Sequence, residues 1–220
     1  TSGPFRHVAF TKDVSVEQTK NEDYFKEGRP YIDGIKHFII TDAGSAIAAY
    51  AAEQVLMPNS NSDNMGSVET KQFLEDYGDR YNVFFMGPSG GDSVMMNTEK
   101  EPFDDPRVRR AIGLALNRQE AISLLSVGDF QLGLPFPPDT WFGRTTEEAE
   151  QLPGFRLLNG EKHPEDIAEA KRLLTEAGYP DGFKSEITLR QAGKYVDIGT
   201  IVAKQLKEYI NVDLEIKLMV

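Results

Sequence analysis

The chain has 220 residues, a formal net charge of −11 and no cysteine. Its hydrophobic content of 40% argues against global disorder, and its length allows one large domain or two small ones. The acidic balance excludes nucleic acid as an expected partner, and the lack of cysteine excludes disulfides, thiolate catalysis and cysteine-based metal sites.

The first third of the chain is predicted to alternate between extended segments and helices. We expect an extended stretch at residues 6–10 and a strand at residues 35–40, where β-branched and aromatic residues cluster. Residues 23–33, between them, are predicted to form a loop held by aromatic anchors. Helices are predicted at residues 45–57, with Ser45 as N-cap, and at residues 67–79.

A glycine-rich joint follows these elements. A short strand is predicted at residues 83–86 and an extended run at residues 93–97. The joint between them contains Ser89, Gly90 and Gly91, and it is either a hinge or an ordinary loop or bulge, since glycine tolerates large changes of φ and ψ. Phe85 and its neighbour face opposite sides of the predicted strand, so one enters a core and the other is free to face a cleft.

Residues 102–118 are the most informative segment. Asp105 is predicted to cap a helix whose first position is Pro106. The arginines at residues 107, 109 and 110 form either an anion site or a salt-bridged surface, and their spread around the helix favours the surface. Apolar residues recur at helical spacing and predict one buried face: Val108, Ala111, Ile112, Ala115, Leu116 and Ile122.

The second half of the chain begins with a predicted irregular stretch at residues 128–162, where Trp141 either lines a pocket or covers a core edge. A helix is predicted at residues 164–177, with Gly178 at its end. A strand at residues 185–190, a helix at residues 196–210 and a strand at residues 212–218 predict a βαβ unit with parallel strands.

Residues that usually carry catalysis or bind metals are scattered. The chain has no nucleophile elbow and no P-loop. The pair Asp104-Asp105 is explained by helix capping and the pair Glu147-Glu148 by a solvated helix or loop face. His37 is expected to be a packed or half-buried ring in its strand. We therefore predict no catalytic residue, no metal site and no cofactor, since the three histidines also lack metal-ligand spacing: His7, His37 and His163.

Four stretches resemble, in the same order, motifs of the family 5 extracellular solute-binding proteins. These are the peptide-, dipeptide- and nickel-binding receptors of bacterial ABC importers. The strongest match is the block at residues 97–118, N-T-x-K-x-P-F-D-D-x-R-V-R-x-A-I-x-x-A-L-N-R, which is similar to the family's signature helix. The other three are the turn at residues 2–5, the aromatic segment at residues 21–32 and the helix at residues 168–179.

The resemblance implies an α/β fold of the periplasmic-binding-protein-like class (type II, two-lobed). The chain would be a truncated portion with part of each lobe. Residues 1–86 would belong to lobe I, residues 87–92 to an interlobe crossing and residues 93–220 to the first part of lobe II. The missing leader and the strand at the end of the chain lead us to expect a central fragment of a larger protein.

The resemblance also implies a function, namely an extracytoplasmic solute-binding protein that captures oligopeptides or dipeptides between two lobes. The expected partners are a small-molecule or peptide ligand and the ABC permease subunits that receive it. The protein is expected to be a monomer, periplasmic or lipoprotein-anchored on the outer face of the cytoplasmic membrane. The alternatives are an enzyme and a non-transport adaptor or sensor built on an α/β fold. The expected ligand-binding residues are Phe85, Ser89, Gly90, Gly91 and Trp141.

Overall fold

A computed structural model of the chain describes residues 2–57, 67–82, 91–126, 130–191 and 193–219. The chain divides into two compact units, Thr1–Met65 and Gly66–Val220. Within the described ranges, no helix combines the length and the apolar character needed to cross a bilayer. Residues 87–90 of the crossing predicted at residues 87–92 lie outside the described residues, so the division into lobes stays a prediction.

The first unit is a three-stranded antiparallel sheet followed by a helix. Strands β1 (Phe5–Thr11), β2 (Ser15–Lys20) and β3 (Gly34–Phe38) pair in that order. The predictions of β1 and β3 are confirmed, whereas β2 was not predicted because its sequence is polar. Pairing on both sides imposes the extended conformation on β2.

Helix α1 (Ala43–Ala51) starts and ends earlier than predicted. Its N-cap is Asp42, whose carboxylate accepts a 2.7 Å hydrogen bond from the backbone N–H of Ser45. The prediction of Ser45 as N-cap is therefore wrong, because the carboxylate of Asp42 takes the capping position.

The loop between β2 and β3 is held by an amide, so the prediction of aromatic anchors is wrong. Asn21 is 1% exposed, and its Nδ2 donates a 2.8 Å hydrogen bond to the carbonyl of Gly3. Its Oδ1 accepts from the backbone N–H of Asp23. The rings of Phe25 and Tyr31 are 75% and 79% exposed, and both contact residues of the same loop.

The second unit contains helices that pack against a short parallel sheet. The predicted helices at residues 67–79, 164–177 and 196–210 are confirmed, and the stretch predicted to be irregular holds one short helix and two short strands. The elements are α2 (Ser67–Tyr77), α3 (Pro106–Ala115), α4 (Arg118–Leu125), α5 (Thr146–Glu150), β4 (Leu157–Leu158), β5 (Glu161–Lys162), α6 (Pro164–Glu176), β6 (Lys184–Arg190), α7 (Gly193–Ile210) and β7 (Asp213–Met219).

Helix α3 begins as predicted but ends sooner. Asp105 caps it by accepting a 2.7 Å hydrogen bond from the backbone N–H of Arg107, and Pro106 occupies the first turn. Leu116 leaves the helical conformation with ψ 124, and Asn117 caps the next helix, α4. The prediction of one continuous buried face through Ile122 is therefore wrong, because two capped helices share that stretch.

The core of the second unit lies where α3, α6 and α7 meet. Val108, Ala111 and Ala115 of α3 are fully buried, and Leu174 of α6 and Leu206 of α7 are almost fully buried. Residues 91–97 form no regular element and pair with no strand among the described residues, but the side chains of Val94 and Met96 pack against this core. The strand predicted at residues 83–86 lies outside the described residues.

The predicted βαβ unit is confirmed. Strands β6 and β7 pair in parallel from Lys184 opposite Asp213 to Arg190 opposite Met219, and α7 connects them. Before β6, Gly182 has φ +77, and a Cβ at this position would clash with the carbonyl of Asn211. Glycine is therefore required at this position, because the segments that precede β6 and β7 lie close together.

A buried amide joins α4 to α7. Gln205 is 2% exposed; its Oε1 accepts from the backbone N–H of Asn117 and its Nε2 donates to the carbonyl of Asn117, both at 3.0 Å. The same Nε2 donates a 2.7 Å hydrogen bond to Glu120. One side chain from α7 thus bonds both backbone polar groups of Asn117, in the turn between α3 and α4.

Replacement of Gln205 by alanine is expected to lower the free energy of unfolding by about 1–3 kcal/mol, because it leaves the buried backbone N–H of Asn117 without its partner. Denaturant-induced unfolding measures this loss. The matched control is Lys204→Ala, at a side chain that is 67% exposed, which should change stability by less than about 0.5 kcal/mol. Equal effects of the two substitutions would contradict this assignment.

Candidate functional site

A constrained loop leads into the first residue of α5. We call it the aromatic loop and define it as residues 134–146. Asp139 has a positive φ of 58°, and each of its two carboxylate oxygens accepts a hydrogen bond. Its Oδ1 accepts a 3.0 Å hydrogen bond from the backbone N–H of Thr146, and its Oδ2 accepts a 2.6 Å bond from the hydroxyl of Thr146. Both hydrogen bonds hold the pKa of the Asp139 carboxyl below its ordinary value, and the bond from the hydroxyl has the larger effect.

A tight turn at the tip completes the aromatic loop. The backbone N–H of Gly143 donates to the carbonyl of Thr140, whose hydroxyl donates to the carbonyl of Pro137. A Cβ at Gly143 would clash with that same carbonyl of Pro137, so the turn requires glycine. The capping box of α5, formed by Thr145 and Glu148, fixes the end of the loop. The loop conformation is therefore set by its own hydrogen bonds.

The aromatic loop presents three rings to solvent. Trp141 is 94% exposed, Phe136 is 60% exposed and Phe142 is 48% exposed. The ring centroids of Trp141 and Phe142 are 5.0 Å apart, and those of Phe142 and Phe136 are 5.8 Å apart, both edge to face. Among the described residues Trp141 covers no core edge. Such a constrained, exposed aromatic surface is typical of a binding surface.

The other four predicted ligand-binding residues lie at the glycine-rich joint. Phe85, Ser89 and Gly90 lie outside the described residues. Gly91 is exposed, and a Cβ there would meet nothing within 4 Å. The next residue, Asp92, forms a 3.6 Å ion pair with Lys194 near the start of α7. This contact brings the end of the joint to the carboxyl end of β6.

The structure offers no metal centre among the residues it describes. No group of three or more histidine, aspartate or glutamate side chains is placed there to hold an ion. His163 caps α6 by accepting from the backbone N–H of Glu165. His37 is exposed, so the prediction of a packed or half-buried ring is wrong, because β3 leaves that ring uncovered.

Two of the three arginines of α3 bond to groups of the protein itself, which favours the salt-bridged interpretation over an anion site. Arg107 pairs with Asp105 at 2.6 Å and donates a 2.8 Å hydrogen bond to the carbonyl of Glu176, at the end of α6. Arg109 donates to the carbonyls of Phe103 and Asp104. These guanidinium groups are thus bonded within the protein and do not form an anion site.

An open polar groove of about 450 Å³ lies between α4, α7 and the hairpin of β4 and β5. Neither Gly91 nor Trp141 lines it. Its lining includes Glu120, Glu161 and Lys204, with no buried cation or nucleophile, so we assign no ligand to it.

A buried ion cluster, Arg156, Lys162 and Asp166, supports the segment that follows the aromatic loop. Asp166 is 1% exposed and accepts from Arg156 Nη2 at 2.5 Å and from the backbone N–H of Gly154 at 2.7 Å. Lys162 Nζ lies 3.6 Å from Asp166 and donates a 2.6 Å hydrogen bond to the carbonyl of Gly154. The sequence analysis missed this cluster, because its members come from a loop, a strand and a helix.

The pKa values of Lys162 and Asp166 in this cluster are both shifted from their ordinary values. Burial lowers the pKa of Lys162 to about 8, although Asp166 opposes the shift. Burial alone would raise the pKa of Asp166, but the hydrogen bonds from Arg156 and Gly154 outweigh it and hold that pKa below its ordinary value. Both side chains are 1% exposed, so neither can reach a substrate. The perturbed lysine is structural.

The lowered pKa of Lys162 predicts a pH dependence of stability. Between pH 8 and 10.5 the unfolded state holds a proton at this lysine that the folded state has released, so stability should rise with pH in that window. Relative to Lys162→Met, the free energy of unfolding of the natural protein should increase by up to about 3 kcal/mol across the window. Denaturant titrations at several pH values measure the difference, and a difference independent of pH would refute the assignment.

Comparison with known proteins matches residues 1–219 to the family described as bacterial extracellular solute-binding proteins, family 5 Middle. The chain is 29% identical over 194 residues to heme-binding protein A of Haemophilus influenzae, covering 86% of this chain and 31% of that protein. It is also 29% identical over 231 residues to oligopeptide-binding protein AppA of Bacillus subtilis, covering 98% of this chain and 38% of that protein.

A solved structure agrees with this match. The ABC transporter-associated periplasmic binding protein DppA from Helicobacter pylori, in complex with peptide STSA, superposes with a TM-score of 0.70 and 25% identity, covering 99% of this chain and 38% of that chain. The chain therefore spans between 31% and 38% of the length of these relatives. Its fold is part of the α/β, type II periplasmic-binding-protein architecture, and the chain belongs to family 5 of the bacterial extracellular solute-binding proteins.

Proposed function

We propose that this chain is part of an extracytoplasmic solute-binding protein that captures oligopeptides or dipeptides and delivers them to an ABC permease. The observation that carries the proposal is the match along 99% of the chain to DppA, a structure that contains a bound peptide. The 29% identity with an oligopeptide-binding protein supports it. In this proposal residues 1–86 belong to one lobe, residues 87–92 to the crossing and residues 93–220 to the other lobe.

The proposed mechanism is binding without chemistry. A ligand that touches both lobes stabilises the closed form, and only its higher affinity for that form shifts the population. The closed protein then docks on the permease, as a monomer in the periplasm or anchored at the outer face of the cytoplasmic membrane. One described residue supports binding without chemistry. Lys162 has a strongly lowered pKa, but its side chain is buried and bonded to its neighbours, so it cannot react with a ligand.

The aromatic loop is the proposed ligand-contacting surface of the second unit. Trp141 is presented on a backbone that Asp139 and Gly143 already constrain, so binding would order little additional chain. A flat ring of this size contacts varied side chains without demanding one sequence. At the glycine-rich joint, Phe85, Ser89, Gly90 and Gly91 remain proposed ligand-binding residues.

In the full-length protein, Trp141→Ala is expected to weaken peptide binding about tenfold, because it removes a large apolar contact at the centre of the aromatic loop. Isothermal titration with a mixture of tri- to pentapeptides measures the loss. The control is Phe25→Ala, an aromatic residue of the first unit that is 75% exposed, which should leave the affinity unchanged.

Three outcomes would contradict the proposal. One is equal affinity of the Trp141→Ala variant and the natural protein. Another is binding of haemin, detected by its absorbance, in a protein that binds no peptide. The third is conversion of the peptides to new species, detected by mass spectrometry, which would instead support an enzyme.

A further inference from the structure

The exposed rings of the aromatic loop have no cation beside them, whereas two exposed rings of the first unit each have one. The ring centroid of Phe25 lies 5.8 Å from the Nζ of Lys26, and that of Tyr31 lies 4.9 Å from the Cζ of Arg29. Within the described ranges, no lysine or arginine makes such a contact with a ring of the aromatic loop. The loop therefore presents ring faces that a cation of a ligand can contact.

Trp141 is the ring best suited to such a cation. Indole is the strongest cation–π partner among the aromatic side chains, and Trp141 is 94% exposed, so most of its surface is open to solvent. Phe142 packs against it edge to face, with the two ring centroids 5.0 Å apart. The hydrogen bonds of Asp139 and the turn at Gly143 fix the backbone on both sides of the ring. A cation thus meets a ring that is already in place.

The side chains around these rings are predominantly acidic. Residues 134–150 contain four carboxylates and one guanidinium group, all of them on exposed residues: Asp139, Arg144, Glu147, Glu148 and Glu150. In the described part of the chain, none of these four carboxylates forms a salt bridge. Asp139 and Glu148 accept hydrogen bonds from Thr146 and Thr145, which are uncharged donors. The negative charge is therefore not neutralised by a partner.

The local fold brings this charge to the rings. Thr146 is the first residue of α5, and it donates two hydrogen bonds to Asp139, which lies two residues before Trp141 in the chain. The start of α5 is therefore held next to the tip of the aromatic loop. Arg144 and the partial positive charge at the start of α5 offset part of the negative charge, but the four carboxylates outnumber them.

We infer that the aromatic loop binds a cationic side chain of the peptide, arginine or lysine, against the ring of Trp141. This inference rests on the proposed function and deepens it, because it names the class of peptide that the site prefers. A guanidinium group is the better occupant, since it is planar, stacks on an aromatic face and is more weakly hydrated than an ammonium. An acidic side chain gains no cation–π attraction and is repelled by the neighbouring carboxylates.

The test uses the full-length protein and two mixtures of tri- to pentapeptides, measured by isothermal titration. The mixtures have the same free termini and differ only at one internal residue. That residue is arginine in the first mixture and citrulline, an uncharged side chain of nearly the same shape, in the second. The ratio of the two dissociation constants therefore reports the charge of the side chain and not that of the terminal amine, which both mixtures share.

Three variants are compared with the natural protein. Trp141→Leu keeps an apolar side chain and removes the ring, whereas Trp141→Phe retains a smaller ring. Glu147→Gln with Glu150→Gln removes two negative charges and leaves the capping box of α5 intact. The control is Phe25→Leu, at an exposed ring of the first unit, and thermal unfolding checks that every variant remains folded.

The natural protein should bind the arginine mixture about fivefold more tightly than the citrulline mixture. Trp141→Leu should lower this ratio to about one, and Trp141→Phe should retain part of it, because a benzene ring attracts a cation less strongly than indole does. The double glutamine variant should lower the ratio about twofold, since exposed charges contribute modestly. The control should show the ratio of the natural protein.

The contrary results separate the failure of this inference from the failure of the proposed function. A preference for arginine that Trp141→Leu leaves unchanged would overturn the inference, because the cation would then be held elsewhere. Equal binding of the two mixtures by the natural protein would also overturn it, while peptide binding itself would stand. If neither mixture binds the natural protein, the proposed function is wrong and the inference falls with it.

Discussion

The contact of α3 with α6 and α7 is the constraint on which the second unit depends. Three α3 side chains, Val108, Ala111 and Ala115, are completely buried there, which removes their apolar surface from water. The two ends of the helix are then fixed by hydrogen bonds, through Arg107 to the end of α6 and through Asn117 to Gln205 of α7. The small side chains let the helices approach closely, so a larger residue at these positions would overpack the core.

This constraint explains why the sequence identifies the family but does not identify the ligand. The residues of the signature segment serve the fold: Asp105 caps α3, and Arg118 donates to the carbonyls of Gly113 and Gly154. None of these contacts requires a ligand. The proposed ligand surface of the second unit lies instead on the aromatic loop, where a change of side chain leaves the core intact.

The sequence predicted most of the elements whose signal is local. The helices with clear apolar periodicity and good caps, and the βαβ unit around α7, were confirmed because pattern and packing agree. Strand β2 was missed, since its polar sequence becomes a strand only through two neighbours. The break between α3 and α4 had a readable signal in Asn117 followed three residues later by Glu120, a combination typical of a helix start.

Contacts between distant residues could not be predicted from the sequence. Gln205 has no local feature that marks it as the partner of a backbone 88 residues away. The buried cluster of Arg156, Lys162 and Asp166 looks like ordinary surface charge in the sequence, because burial is decided by how the loop folds over α6. Trp141 was expected in the ligand site, but only the structure shows that it stands exposed on a constrained loop.

Small-angle X-ray scattering of the full-length protein, with and without the peptide mixture, tests the central claim of a two-lobed peptide receptor most directly. The account predicts a smaller radius of gyration when peptide is bound, because a ligand that touches both lobes favours the closed form. Tight peptide binding with an unchanged radius of gyration would contradict it.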